Sequence, residues 1–177
     1  MSALDRRDFL GSLLGFASIS GFAGASALVQ AEALRAVTPG SVLVLYRVDL
    51  PESAAFAQAW AKAGFTTQAL AGDVVRQWRD GLGKDFGEHK RLLVGLGNWD
   101  DQLLLQGLAA EARRHPLLVM QHPLKAQQPG WADTHALELQ ALLQRVSASQ
   151  QEQALQALAQ RNHLQPGTPS LFSWIMG

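Results

Sequence analysis

The stretch Arg91–Arg113, RLLVGLGNWDDQLLLQGLAAEAR, decides the fold. Leu92, Leu93, Val94 and Leu96 form a short apolar run without period-2 polar alternation, as expected of a strand covered on both faces. Gly95 and Gly97 allow close backbone approach or positive φ at the strand end. Asn98 or Asp100 then caps the following helix. Leu103, Leu104, Gly107 and Leu108 are expected on its inner face, with Gln102, Gln106 and Glu111 turned away. Gly107 costs about 1 kcal/mol against Ala within a helix, which suggests close helix–sheet packing there. Arg113 and Arg114 suit the negative end of the helix.

Units of the same kind lie on either side. Ser41–Val48, SVLVLYRV, is β-branched, apolar and bounded by turn residues, so it reads as a strand. Pro51 suits the first turn of a helix over Glu52–Ala63, with Phe56 and Trp60 as an i, i+4 core stripe and Gly64 as its stop. Phe65–Leu70 is a weaker strand. Asp73 then caps a helix with Val74, Trp78 and Leu82 on one face, broken at Gly81–Gly83, and Lys84–Lys90 reads as a charged loop. Pro116–Met120 is another buried strand, ending at Gln121-His122-Pro123. Asp133–Val146 fits a helix with Leu139, Leu142, Leu143 and Val146 inward. The alternative is a hairpin in which Ala132–Leu139 folds back on Leu118–Lys125. Gln150–Arg161 has helical propensity, and Leu171–Met176, LFSWIM, reads as a last strand, too apolar to be left in solvent.

This alternation predicts an α/β protein: three layers, α/β/α, around a largely parallel sheet of about five strands, in a flavodoxin-like or Rossmann-like arrangement. The expected domains are a leader over 1–31 and a single α/β domain over 32–177.

The chain has 177 residues, 47% of them apolar, and a formal net charge of zero. The balance gives no electrostatic argument for nucleic acid. Without cysteine, disulfides, cysteine-ligated iron–sulfur clusters, thioether-attached haem and a cysteine nucleophile are excluded.

Residues 5–10 read Asp-Arg-Arg-Asp-Phe-Leu. This resembles the twin-arginine translocation motif, with Arg6 and Arg7 as the pair and Phe9 and Leu10 as the apolar match. Asp5 and Gly11 stand where the family often has Ser or Thr and Lys. Gly11–Val29 is apolar but rich in Gly, Ala and Ser, and ends in two small-residue cleavage candidates, Ala25-Ser26-Ala27 and Val29-Gln30-Ala31. Cleavage is expected after Ala31. Two other readings are an ordinary amphipathic helix and an uncleaved inner-membrane anchor, for which about 20 residues suffice. The resemblance implies a bacterial periplasmic protein exported already folded, with the twin-arginine translocase as a partner and an exported companion protein as a second.

In an open α/β sheet, ligands bind beyond the carboxyl ends of the strands. Asp49, Asp73, Asn98, Trp99, Asp100, Asp101 and His122 stand at those ends and form the candidate ligand mouth. Carboxylates, an amide and an imidazole together suit hard-metal binding or general acid–base work. The competing assignment is structural: Asp73 and Asp100 as caps, Asp49 as a turn residue, His122 as a strand-end residue. Gly95-Leu96-Gly97-Asn98 lacks the third glycine of a dinucleotide fingerprint, though a helix N-terminus there offers amides to an anion. The five histidines lack zinc-ligand spacing, and no G-x-S-x-G elbow occurs. A lone Asp49 and the missing strand-end Lys rule out a response-regulator receiver. Trp60, Trp78 and Trp174 fit core patterns. Trp99 and Trp131 fall in loops, where exposed aromatics serve ligands or partners, although burial is the commoner use.

Past the leader, Pro-Glu-Ser-x-x-Phe-Ala at Pro51–Ala57, Gly72-Asp73 followed by Trp78, and the closing Ser173-Trp174-Ile175 resemble small twin-arginine-exported bacterial proteins without an assigned activity. The resemblance transfers no catalytic residue and names no cofactor. Two functions are therefore expected: a non-catalytic accessory or binding protein, or a small periplasmic enzyme that uses the acidic mouth, with or without a divalent metal.

Overall fold

A computed structural model describes residues 37–89, 91–124, 128–144, 148–162 and 167–177. The leader positions Arg6, Arg7, Phe9, Leu10 and Ala31 lie outside them, as do Val146 and His163. After a turn at Pro39–Ser41 the elements are β1 (Val42–Arg47), α1 (Pro51–Lys62), β2 (Thr66–Leu70), α2 (Val74–Gln77), a wide turn (Trp78–Leu82), α3 (Gly83–His89), β3 (Leu92–Gly97) and α4 (Trp99–Glu111). They continue with β4 (Pro116–Pro123), α5 (Trp131–Leu143), α6 (Ala148–Arg161) and β5 (Ser170–Met176). The helix alternative for the stretch after Gly130 is the one formed.

The five strands make one open sheet in the order β2-β1-β3-β5-β4. β1 pairs parallel with β2 and β3, whereas β5 pairs antiparallel with both β3 and β4. The expected largely parallel sheet is thus corrected to a mixed one. The first four strands run the same way, but the last enters from the opposite end and inserts between β3 and β4. Its run Leu171–Met176 is almost wholly buried, as a central strand requires. That run shows the strand but not its direction.

Helices cover both faces. One core joins Val42, Val44, Val94 and Ile175 of the sheet to Phe56 and Trp60 of α1, Leu139 and Leu143 of α5, and Leu155 of α6. The other joins Leu43, Leu45, Leu93 and Trp174 to Val74, Trp78, Leu82, Phe86 and Leu105. Phe86 explains why Gly83–His89 is a helix rather than the expected charged loop: it is fully buried, edge-on to Trp78 at 5.6 Å. Gly81, at φ 153°, lets the chain bend from one helix into the next.

The inner face of α4 also differs from expectation. Asp101, Gln102, Leu105, Leu108 and Ala109 point in, while Leu103 and Leu104 are exposed and Gly107 meets no neighbour. With leucine at four positions in six, periodicity alone could not choose the face. The glycine that makes room for a neighbour is Gly95 on β3, against which the Trp174 ring of β5 lies.

α1 and α4 end in the same hydrogen-bonded motif. In α1, Gly64 takes the left-handed position (φ 87°), with its N–H donating to Ala61 O and that of Phe65 to Trp60 O. In α4, Arg113 takes that position (φ 56°), and the N–H groups of Arg113 and Arg114 donate to Ala110 O and Ala109 O. A Cβ is strained there, so Arg113→Gly is expected to raise stability by about 0.5–1 kcal/mol. Thermal or urea unfolding reads this directly, and an unchanged midpoint would show that Arg113 pays no such strain.

Candidate functional site

The chain changes direction at β1 and β3, adjacent strands whose following helices lie on opposite faces. Arg47, at the end of β1, ties the loops of this switch point together. Its backbone N–H donates to Ser53 Oγ at 2.8 Å, and the Ser53 hydroxyl donates to Leu96 O on β3. Its guanidinium donates to Gly72 O, and Nε lies 3.4 Å from Asp49 Oδ1 and 3.5 Å from Asp101 Oδ2. Asp101 is buried, and burial is the main cause that raises its pKa; Asp49 and Asp100 add to it, against Arg47 and the Asn98 amide. Asp101 is the third residue of α4. By receiving the backbone N–H of Asn98, it completes one half of a capping box.

The expected ligand mouth therefore only partly assembles. Asp49 and Asp101 share Arg47. Asp73 is spent as a cap, its Oδ1 accepting from Val75 N at 2.9 Å and Arg76 N at 3.2 Å. Asn98 occupies the N-cap position of α4 without a side-chain capping bond, and Asp100 and Trp99 face solvent. Trp99 is thus neither in a loop nor buried: it opens α4 and is 52% exposed. Among the described residues, no three His, Asp or Glu side chains are arranged to hold a metal ion. Gly95 and Gly97 make room for a side chain: the Trp174 ring lies against Gly95 and approaches Gly97.

His122 belongs to a different cluster, across β5 from the switch point. It stands near the end of the edge strand β4, facing α5. Nε2 of His122 lies 2.9 Å from Ser173 Oγ, and Nε2 of His135 on α5 lies 2.8 Å from the same atom. A hydroxyl has one proton, so it donates to one imidazole and accepts from the Nε2–H of the other. Ser173 is fully buried. Burial lowers the pKa of His122 to about 3, helped by His135, and lowers that of His135 too, against a contrary pull from Glu138. Both rings are neutral at pH 7. The His122 ring lies 4.7 Å from Trp131 and 4.6 Å from His135, and His135 packs 6.1 Å from Phe56.

Trp131 begins α5 rather than lying in a loop. It separates this cluster from a cleft of about 410 Å3 lined by Pro51, Glu52 and Ala55 of α1 with Leu124, Gln128, Pro129, Gly130, Trp131 and Ala132. The volume suits a small organic ligand. Apart from Glu52 and Gln128 the side chains are apolar. Neither His135 nor Glu52 stands out in the sequence, and Ser173 joins the imidazoles only because β5 inserts beside β4, opposite Met120.

No protein-family model, curated protein or solved structure matches the chain. Among the described residues, no helix is long and apolar enough to cross a membrane.

Proposed function

We propose that the chain is a twin-arginine-exported periplasmic binding protein whose ligand sits in the cleft walled by Trp131, between the first turns of α1 and α5. The cleft itself carries the reading: an indole wall held by two neutral imidazoles, the buried His135 and the half-buried His122, with apolar surroundings and one carboxylate, Glu52, at the rim. Such a lining suits an apolar organic amine, which places its cation near Glu52 and the indole and its hydrocarbon against Pro51, Ala55 and Leu124. The leader motif at Arg6 and Arg7 supports the route, and the small-residue site ending at Ala31 supports release from the membrane rather than anchoring. Ser173 does not serve as a nucleophile in this reading, because its hydroxyl is fully buried.

Isothermal titration with tryptamine as the probe tests the cleft. Binding in about the micromolar to millimolar range is expected. Trp131→Ala should abolish it, Glu52→Gln should weaken it about tenfold, and Asp49→Ala should leave it unchanged. Binding that survives Trp131→Ala, or none to the native protein, would overturn the reading. For the route, Arg6→Lys with Arg7→Lys should retain the precursor in the cytoplasm. Periplasmic recovery of that variant would count against twin-arginine export.

A second reading keeps an enzyme at the switch point, favoured by one observation: Asp101 is a buried carboxyl with a raised pKa, 3.5 Å from Arg47, where α/β folds commonly bind substrates. Under it, Asp101→Asn removes ligand binding while tryptamine still binds the cleft.

A further inference from the structure

Helix α4 is apolar on two sides. Leu105, Leu108 and Ala109 pack inward, and the outer side carries Trp99, Leu103, Leu104, Gly107 and Ala110. Leu103 and Leu104 are 46% and 45% exposed, and Trp99 more so. A groove of about 240 Å3 runs along this side from Leu103 past Gly107 and Ala110 to Arg114, His115 and Pro116. Gly107 lies in its middle. A Cβ there would meet nothing within 4 Å, so the fold of one copy gives no reason for a residue that weakens the helix.

We propose that two copies of this chain pair through the outer sides of α4, antiparallel, with the two-fold axis passing near Gly107. Three features of the surface match this occupant. Glycine at the crossing point lets two helices approach closely. Trp99 lies eight residues before Gly107, about 12 Å along the helix, and the other end of the groove, at Arg114–Pro116, lies past the helix C-terminus. Antiparallel pairing therefore lays Trp99 and Leu103 of one copy over the Ala110–Pro116 half of the other, twice by symmetry. The charges agree as well. Exposed Asp100 is in the first turn; Glu111 ends the helix and Arg113 and Arg114 follow it, so that end carries one net positive charge, with Arg114 beside the groove over the Phe86 ring at 5.3 Å. Antiparallel pairing brings opposite charges and opposite helix ends together, whereas parallel pairing stacks Asp100 on Asp100. A contact made by one helix per copy is small against the roughly 1,600 Å2 of a standard interface, so a dissociation constant of about micromolar is expected.

The test is sedimentation equilibrium of the full chain from about 5 to 500 µM. The native protein should pass from monomer to dimer. Gly107→Arg should stay monomeric throughout with an undiminished melting temperature, because its side chain meets nothing in its own copy. The chain has no cysteine, so Gly107→Cys gives a clean cross-link across the axis. Mild oxidation should link it quickly, and should link Gly87→Cys, also unencumbered but on α3, at least tenfold more slowly. A native protein that stays monomeric, a dimer that persists in Gly107→Arg (association through the leader or another surface), or equal cross-linking at the two positions would each overturn the proposal.

Discussion

Gly95→Ala is expected to destabilise the protein by about 3 kcal/mol, at the upper end for a single added methyl group in a packed core. Gly95 sits on central strand β3, directly opposite Trp174 of β5. A Cβ on Gly95 would fall inside 3.0 Å of three atoms of the Trp174 indole. The ring cannot move away, since Trp174 is fully buried in the core beneath α3 and α4. Trp174→Ala alone should cost about 3–5 kcal/mol, through lost contacts and the cavity left behind. The double variant is the informative one. Once the indole is gone, the methyl group at position 95 no longer clashes and fills part of the space, so Gly95→Ala should become nearly neutral in the Trp174→Ala background. Urea unfolding of the four proteins gives the coupling. Additive losses would mean that Gly95 is not the seat of the Trp174 ring.

The second large effect is with acid. His122 is neutral in the folded protein, with its pKa lowered to about 3 by burial and by His135, against 6.5 when exposed. Between those values the unfolded chain binds more protons than the folded one, so stability falls as pH drops below 6.5. For His122 alone the loss between pH 7 and pH 5 is about 2 kcal/mol. His135 acts in the same direction, because its pKa is also lowered. His122→Gln retains a polar partner for Ser173 but does not titrate. Its unfolding free energy should therefore change less between pH 7 and 5 than that of the native protein, by about the same 2 kcal/mol. Equal pH slopes in the two proteins would show that His122 is exposed enough to titrate normally.

These two predictions rest on features of unequal visibility in the sequence. β1, α1 and β3 were legible because each carries a clear local signal: the β-branched run at Val42–Leu45, Pro51 before the Phe56–Trp60 stripe with Gly64 as a stop, and the unbroken apolar run Leu92–Val94. Asp73 was legible as a cap because cap chemistry is local. The direction of β5 was not, since LFSWIM is equally apolar whichever way it runs. The face of α4 was ambiguous because Leu103, Leu104, Leu105 and Leu108 cover more than half its circumference. The imidazole cluster was invisible for a related reason. His122, His135 and Ser173 are joined only by strand order, and an insertion of β5 beside β4 is long-range information. The acidic residues attracted attention because their spacing marks strand ends. Arg47, which determines what Asp49 and Asp101 do, carried no such mark.

The separation between the Arg47 crevice and the Trp131 cleft is what the functional reading depends on. The crevice residues close hydrogen bonds and ion pairs among the loops after β1, β2 and β3. The cleft presents an indole wall and one rim carboxylate to whatever enters. The most direct measurement is a titration of isotopically labelled protein with tryptamine, following backbone and indole amide resonances. Saturable shifts at Trp131, Ala132, Glu52 and Ala55, with Arg47, Asp49 and Asp101 unmoved, are the predicted result. Shifts centred on Arg47, Asp49 and Asp101 would contradict it and transfer the site to the switch point.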